Sequence, residues 1–138
     1  MQGLTNERRI ALEIARACAD KKALDIVILD VQGLLSYTDY LVIASGRSDR
    51  QVKAVAEGVG RALRDLDPPK RPLGVEGERG GRWILMDYGD VILHVFHEDA
   101  RMFYDLERLW FDCRRVDPET GKDFPAGEVP LEADEATP

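Results

Sequence analysis

At 138 residues the chain fits one domain of ordinary size, able to bury about two-thirds of its unfolded surface without a metal or a disulfide framework. Hydrophobic residues make up 44% and charged residues 33%, and no apolar run approaches the roughly 18 residues that a membrane helix needs, so no span of a bilayer is expected. The formal net charge of −7 is uneven: residues 117–138 hold seven acids against Lys122 alone, which leaves the first 116 residues near −1.

Met1 to Glu7 has no basic stretch followed by an apolar one, so no secretion signal is expected and the cytosol is the expected address. From Leu4 onward, Ile10, Ala11, Ile14, Ala15 and Cys18 recur at helical spacing, with Thr5 placed as N-cap. Leu24 to Val31 is a mostly continuous β-branched run and predicts a strand covered on both faces. Gly33 breaks it, and Tyr40 to Ser45 predicts a second strand. The short polar connection suits an antiparallel neighbour better than a helical crossover.

Ser48 with Gln51 three residues on is a capping box, and Asp49 suits the first turn of a helix. Val52, Val55, Ala56, Val59, Leu63 and Leu66 share one face of that helix, while Lys53, Glu57, Arg61, Arg64 and Asp65 face water. Asp67-Pro68-Pro69 ends it. Residues 67–81, with three prolines and four glycines, form a connector holding only a short extended piece near Val75-Glu76-Gly77. Trp83 to Asp87 and Val91 to Phe96 flank Tyr88-Gly89-Asp90 and predict an antiparallel hairpin. A last helix opens near Glu98-Asp99 and carries Ala100, Phe103, Tyr104, Leu106, Leu109 and Trp110. Residues 117–138, with four prolines and little to bury, are expected to form a disordered acidic tail behind a domain of residues 1–116. The order predicts an α/β fold, a small mixed β-sheet flanked by helices.

Few residues in this pattern point to catalysis. His94 and His97 form an HxxH among Asp87, Asp90, Glu98 and Asp99, but residues three apart on a strand face opposite ways, so a metal site is not expected. Ala44 to Asp49 joins a strand to a capped helix, which can hold an anion on backbone N–H groups, yet neither GxxxxGK[ST] nor GxGxxG is present. Ser36, Ser45 and Ser48 lack a nucleophile elbow, and Cys18 falls on a core-facing helical stripe. With only two cysteines, Cys18 and Cys113, no disulfide framework is expected. A body of balanced charge with an acidic tail would be repelled by phosphate backbones unless it carried a concentrated basic patch, and no such cluster is found, so little or no direct nucleic-acid contact is expected and a basic protein partner is favoured. Trp83, Tyr88, Tyr104 and Trp110 are aromatic side chains of the type that anchor protein interfaces or fill cores.

Leu29 to Leu34, Thr38 to Gly46, Ser48 to Val52, Gly74 to Gly77, Trp83 to Phe96 and Tyr104 to Trp110 closely resemble the ribosomal silencing factor family, also called Iojap. The resemblance runs from about residue 8 to residue 111 and leaves the acidic tail outside it. It implies a fold similar to nucleotidyltransferases without their catalytic residues, no enzymatic activity and no cofactor. Consistent with that, Asp87 and Asp90 stand three apart, where two-cation chemistry needs an Asp-x-Asp pair. The resemblance also implies docking on the large ribosomal subunit through large-subunit ribosomal protein fourteen, a steric block to small-subunit joining, and a homodimer when free.

Carried over by position, the docking residues are Trp83, Ile84, Met86, Asp87, Tyr88 and Glu98. Trp83 would be the anchor, Met86 and Tyr88 apolar and hydrogen-bonding contacts, and Asp87 and Glu98 acids facing basic side chains. Strand alternation sets Trp83, Leu85 and Asp87 on one face and Ile84, Met86 and Tyr88 on the other, so they share a partner only if the strand bends or lies at an edge. The alternative reading is a nucleotide-binding or nucleotidyltransferase-type enzyme using the Ser45 to Asp49 turn.

Overall fold

A computed structural model describes residues 5–104 and 113–124. Helix α1 (Asn6–Asp20) starts where the Thr5 hydroxyl accepts from the Arg8 backbone N–H at 3.1 Å, the expected cap, and it buries Ile10, Ala11, Ile14, Ala15 and Cys18. Strands β1 (Leu24–Asp30) and β2 (Tyr40–Gly46) follow and pair antiparallel as expected. Helix α2 (Asp49–Arg64) begins at Ser48, whose hydroxyl accepts from the Gln51 N–H at 3.1 Å. The Gln51 side-chain carbonyl accepts in return from the Arg47 N–H at 2.7 Å, so the reciprocal bond falls one residue outside the cap. Strand β3 (Gly74–Glu76), the hairpin β4 (Trp83–Asp87) and β5 (Val91–His97), and helix α3 (Glu98–Tyr104) complete the expected series. The rest of the expected last helix, with Leu106, Leu109 and Trp110, lies outside the described residues.

The strands form one mixed seven-stranded sheet in the order β3-β4-β5-β2-β1-β6-β7, where β6 is Arg114–Val116 and β7 is Asp123–Phe124. Only β2 and β5 pair parallel. Helices α1 and α2 cover one face with a large core that includes Ile14, Val55, Val59, Leu63, Val42, Leu93 and Ile84. On the other face Leu29, Val31, Leu41, Ile43, Ile92 and Phe96 pack with Ala100 of α3 and with Cys113. Each such aliphatic or aromatic side chain, fully buried, contributes about 1.5 to 3 kcal/mol.

Burial on both faces belongs to β2 and β5 rather than to β1. Every residue of β2 is buried, whereas Leu24 to Val27 of β1 are half-buried or exposed. A register shift between Leu24 and Val27, with Asp25 at φ 50°, turns the start of β1 out of the ladder, and β6 pairs only with Ile28 to Asp30.

The chain also differs from expectation after Val116, where a disordered tail was expected from residue 117. Asp117 is buried and its carboxylate accepts from the Glu119 N–H at 2.8 Å, while its N–H donates to the Lys122 carbonyl at 2.8 Å. Gly121 at φ 80° closes this turn, and β7 pairs with β6. Arg8 of α1 then holds the hairpin by a 2.8 Å ion pair to Asp123 and a hydrogen bond to the Gly121 carbonyl. The same guanidinium donates to the Tyr40 hydroxyl at 3.1 Å. An acid count over the segment misses this because one of the acids is consumed by a partner more than 100 residues earlier. Residues 125–138 of the expected tail lie outside the described residues.

Candidate functional site

Strand β4 carries most of the expected docking residues, and pairing fixes where each points. Ile84, Met86 and Tyr88 face α2 within the large core, at 1%, 4% and 5% exposure. The contacts expected of these three with a partner are instead made with the protein's own interior, because the alternation of an undistorted strand commits them to the helix-covered face. Burial pushes the Tyr88 hydroxyl up to about 12, against the nearby Arg64 charge, and that hydroxyl has no hydrogen-bond partner among the described residues.

Trp83, Leu85 and Asp87 occupy the opposite face and are half-buried. Strand β3 pairs only with Leu85 to Asp87, so Trp83 lies beyond its end. A Cβ at Gly77, which sits at φ 82°, would collide with the Trp83 carbonyl, so only glycine lets the loop pass there.

The Trp83 indole is held on two sides. Its Nε1–H donates to His94 Nδ1 at 3.0 Å, and its ring lies 4.8 Å from that of Phe96, centroid to centroid. The His94 and Phe96 rings stack at 6.1 Å with 11° between planes. Burial lowers the His94 pKa to about 4, so near neutral pH the ring is uncharged and Nδ1 keeps the lone pair that accepts from Trp83. The chemical result is an aromatic plate with a fixed orientation. Sequence reasoning missed His94 in this role, although the predicted hairpin, with Leu85 opposite His94, already implies the diagonal contact.

Glu98 is exposed at the start of α3, directly after His97, which lies one residue past the Phe96 partner of Trp83. It therefore shares the Trp83 end of the hairpin with Asp99. Asp87 does not: it stands four residues along β4, about 13 Å away at strand rise, and its carboxylate accepts from the Gly89 N–H at 2.8 Å to brace the turn.

The HxxH pair is separated in the same way. His94 is engaged with Trp83, while His97 Nδ1 accepts from the Asp99 N–H at 3.1 Å. Among the described residues no group of three or more His, Cys, Asp or Glu side chains stands close enough to hold a metal ion. At the Ser45 to Asp49 turn, the Arg47 and Gln51 N–H groups bond the Gln51 and Ser48 side chains, and the Val52 N–H bonds the Ser48 carbonyl. The Ser45 hydroxyl accepts from buried Arg101 at 2.8 Å. These three amides are taken up internally and are not open to a phosphate. Burial raises the Cys18 thiol to about 12, which keeps it protonated.

A family model described as "Ribosomal silencing factor during starvation" matches residues 5–137. It takes in the acidic C-terminal segment that the resemblance of the individual blocks had left outside. The curated ribosomal silencing factor RsfS of Bacillus subtilis is 41% identical over 118 residues, covering 84% of this chain and 97% of that protein. RsfS of Halalkalibacterium halodurans is 36% identical over 116 residues, again covering 84% and 97%. A crystal structure of a Chromobacterium violaceum protein superposes with a TM-score of 0.72 at 37% identity, covering 77% of this chain and 87% of the other. Agreement that begins at the cap of α1 and continues past the β6–β7 hairpin settles the kinship: the chain belongs to the ribosomal silencing factor family.

Proposed function

We propose that this protein is a ribosome-associated repressor of translation that docks on the large subunit, through large-subunit ribosomal protein fourteen, and blocks small-subunit joining by occupying the space. The observation that carries the reading is the Trp83 plate, fixed by His94 and Phe96 at the open end of β4 with the acids Glu98 and Asp99 beside it. A rigid aromatic loses little conformational freedom on docking, and neighbouring acids complement a basic partner. Of the residues that the resemblance suggested, Trp83 and Glu98 then form the contact, while Ile84, Met86 and Tyr88 support it from beneath. Asp87 braces the hairpin turn. Against the nucleotidyltransferase alternative stand the missing GxxxxGK[ST] and GxGxxG motifs and the internally bonded Arg47 and Gln51 amides.

Obstruction of this kind needs no turnover, only an affinity that the approaching subunit does not overcome. A standard interface buries about 800 Å² on each partner, enough to exclude a competitor from the same surface. We place the protein in the cytoplasm and, when free, in a homodimer that covers the Trp83 face.

The test is subunit joining in a sucrose gradient. Wild type lowers the joined fraction, Trp83→Ala restores it with a loss of about 2 kcal/mol in docking, and Trp83→Phe, which keeps a ring on Phe96, falls between. A Trp83→Ala protein that folds and still blocks joining like wild type overturns the assignment of the anchor.

A further inference from the structure

The fold assembles a basic patch that the linear sequence conceals. Arg47, Arg50 and Lys53 lie at the start of α2, and Arg79 and Arg82 lie in the loop before β4, some 30 positions later. The two stretches meet at Gly81, where an added Cβ would lie 3.0 Å from the Asp49 carbonyl and 3.0 Å from the Lys53 side chain. Across the same junction Arg82 stands 4.0 Å from the Asp49 carboxylate. Arg47, Arg50 and Arg79 are exposed, and among the described residues none of the three side chains has an ion pair.

The acids at this end of the sheet are sorted from these cations. Glu98 and Asp99 begin α3, on the sheet face that carries Trp83 and Phe96, whereas the cations flank α2 on the opposite face. Near the cations stand Glu78, Glu57 one helical turn from Lys53, and Asp49, already matched to Arg82, so Arg47, Arg50 and Arg79 carry the uncompensated charge. A surface that met only a basic protein would be weakened by five cations next to its anchor, since like charges in contact oppose docking. Their placement calls for a second, polyanionic neighbour on the α2 side.

We infer that Arg47, Arg50, Lys53 and Arg79 form a phosphate-contacting surface that meets ribosomal RNA beside the protein on which Trp83 docks. The inference rests on the docking reading above and adds a partner class to it. It also revises the expectation of little nucleic-acid contact, which summed charge along the chain and not across the fold. Arginine suits the task because its planar fork matches phosphate oxygens.

The experiment is co-sedimentation of the full chain with purified large subunits over a salt series, for wild type, Trp83→Ala and the charge-reversal variant Arg47→Glu/Arg50→Glu/Arg79→Glu. Each lost phosphate contact flattens the dependence of log affinity on log salt by about 0.7 to 0.9. The triple variant is expected to bind at least about tenfold more weakly near 0.1 M salt and to flatten the slope by about 2 to 3. Trp83→Ala weakens binding with the slope unchanged. Ultraviolet crosslinking of the wild-type complex then yields nucleotide adducts on peptides holding Arg47 to Lys53 or Arg79.

Wild type that fails to sediment with large subunits overturns the docking reading and this inference together. Docking that persists with the triple variant at wild-type affinity and slope overturns the inference alone. A flattened slope without nucleotide adducts assigns the patch to an acidic protein and also overturns it. The substituted side chains are exposed and outside both cores, and an unchanged thermal melt verifies that the variant folds.

Discussion

At the scale of single residues, the bond between Trp83 and His94 makes a measurable link to pH. The His94 pKa, near 6.5 in an unfolded chain, falls to about 4 in the folded protein because burial disfavours the cation. Between these values the unfolded state binds the proton, so this contribution to stability is full above about pH 6.5 and is lost as pH falls toward 4, by roughly 2 to 3 kcal/mol. Thermal melts at pH 7 and pH 4.5 are expected to show a smaller acid shift in His94→Phe, which keeps the stack on Phe96 but does not titrate; equal shifts would contradict the assignment. Gly77 has a role that depends on its missing side chain. Gly77→Ala places a Cβ against the Trp83 carbonyl at φ 82°, and denaturant unfolding is expected to register a loss of about 2 kcal/mol or more.

At the scale of elements, α1 and the β6–β7 hairpin hold each other through Arg8. Its pairing with Asp123 and Gly121 docks the β6–β7 hairpin against α1. Asp123→Ala is expected to raise amide exchange across Asp117 to Phe124 while the exchange of β2 and β5 stays slow, since those central strands are buried on both faces. Uniform protection in the variant would mean that Arg8 is not what orders the hairpin. Most of the architecture was legible because its signals are local: the caps at Thr5 and Ser48, the stripe of α2 and the Tyr88-Gly89-Asp90 turn all act within a few residues. What escaped depends on distant partners. The order of residues 117–124 comes from a cation on α1, and the exposed start of β1 comes from an irregular register with β2. The strand that carries the expected docking residues was legible as a strand, but the face of each residue on it required knowing that α2 covers the even-numbered side chains.

At the scale of the whole molecule, charge and shape divide the labour. One end of the sheet presents an aromatic plate with acids on the α3 side and arginines on the α2 side, while the acids of the C-terminal segment lie elsewhere in the sequence. The steric block proposed above would act by stoichiometry, so the extent of blocked joining, followed by light scattering, is expected to saturate at one protein per large subunit and not to grow with incubation time; a steadily increasing effect would point to turnover. The strand order also sets β7 and the start of α1 five strands from β4, about 24 Å at ordinary strand spacing. A fluorophore tethered at Thr5 or Phe124 therefore rides on the edge remote from the indole, where it reports proximity to a labelled ribosome by energy transfer without standing in the way.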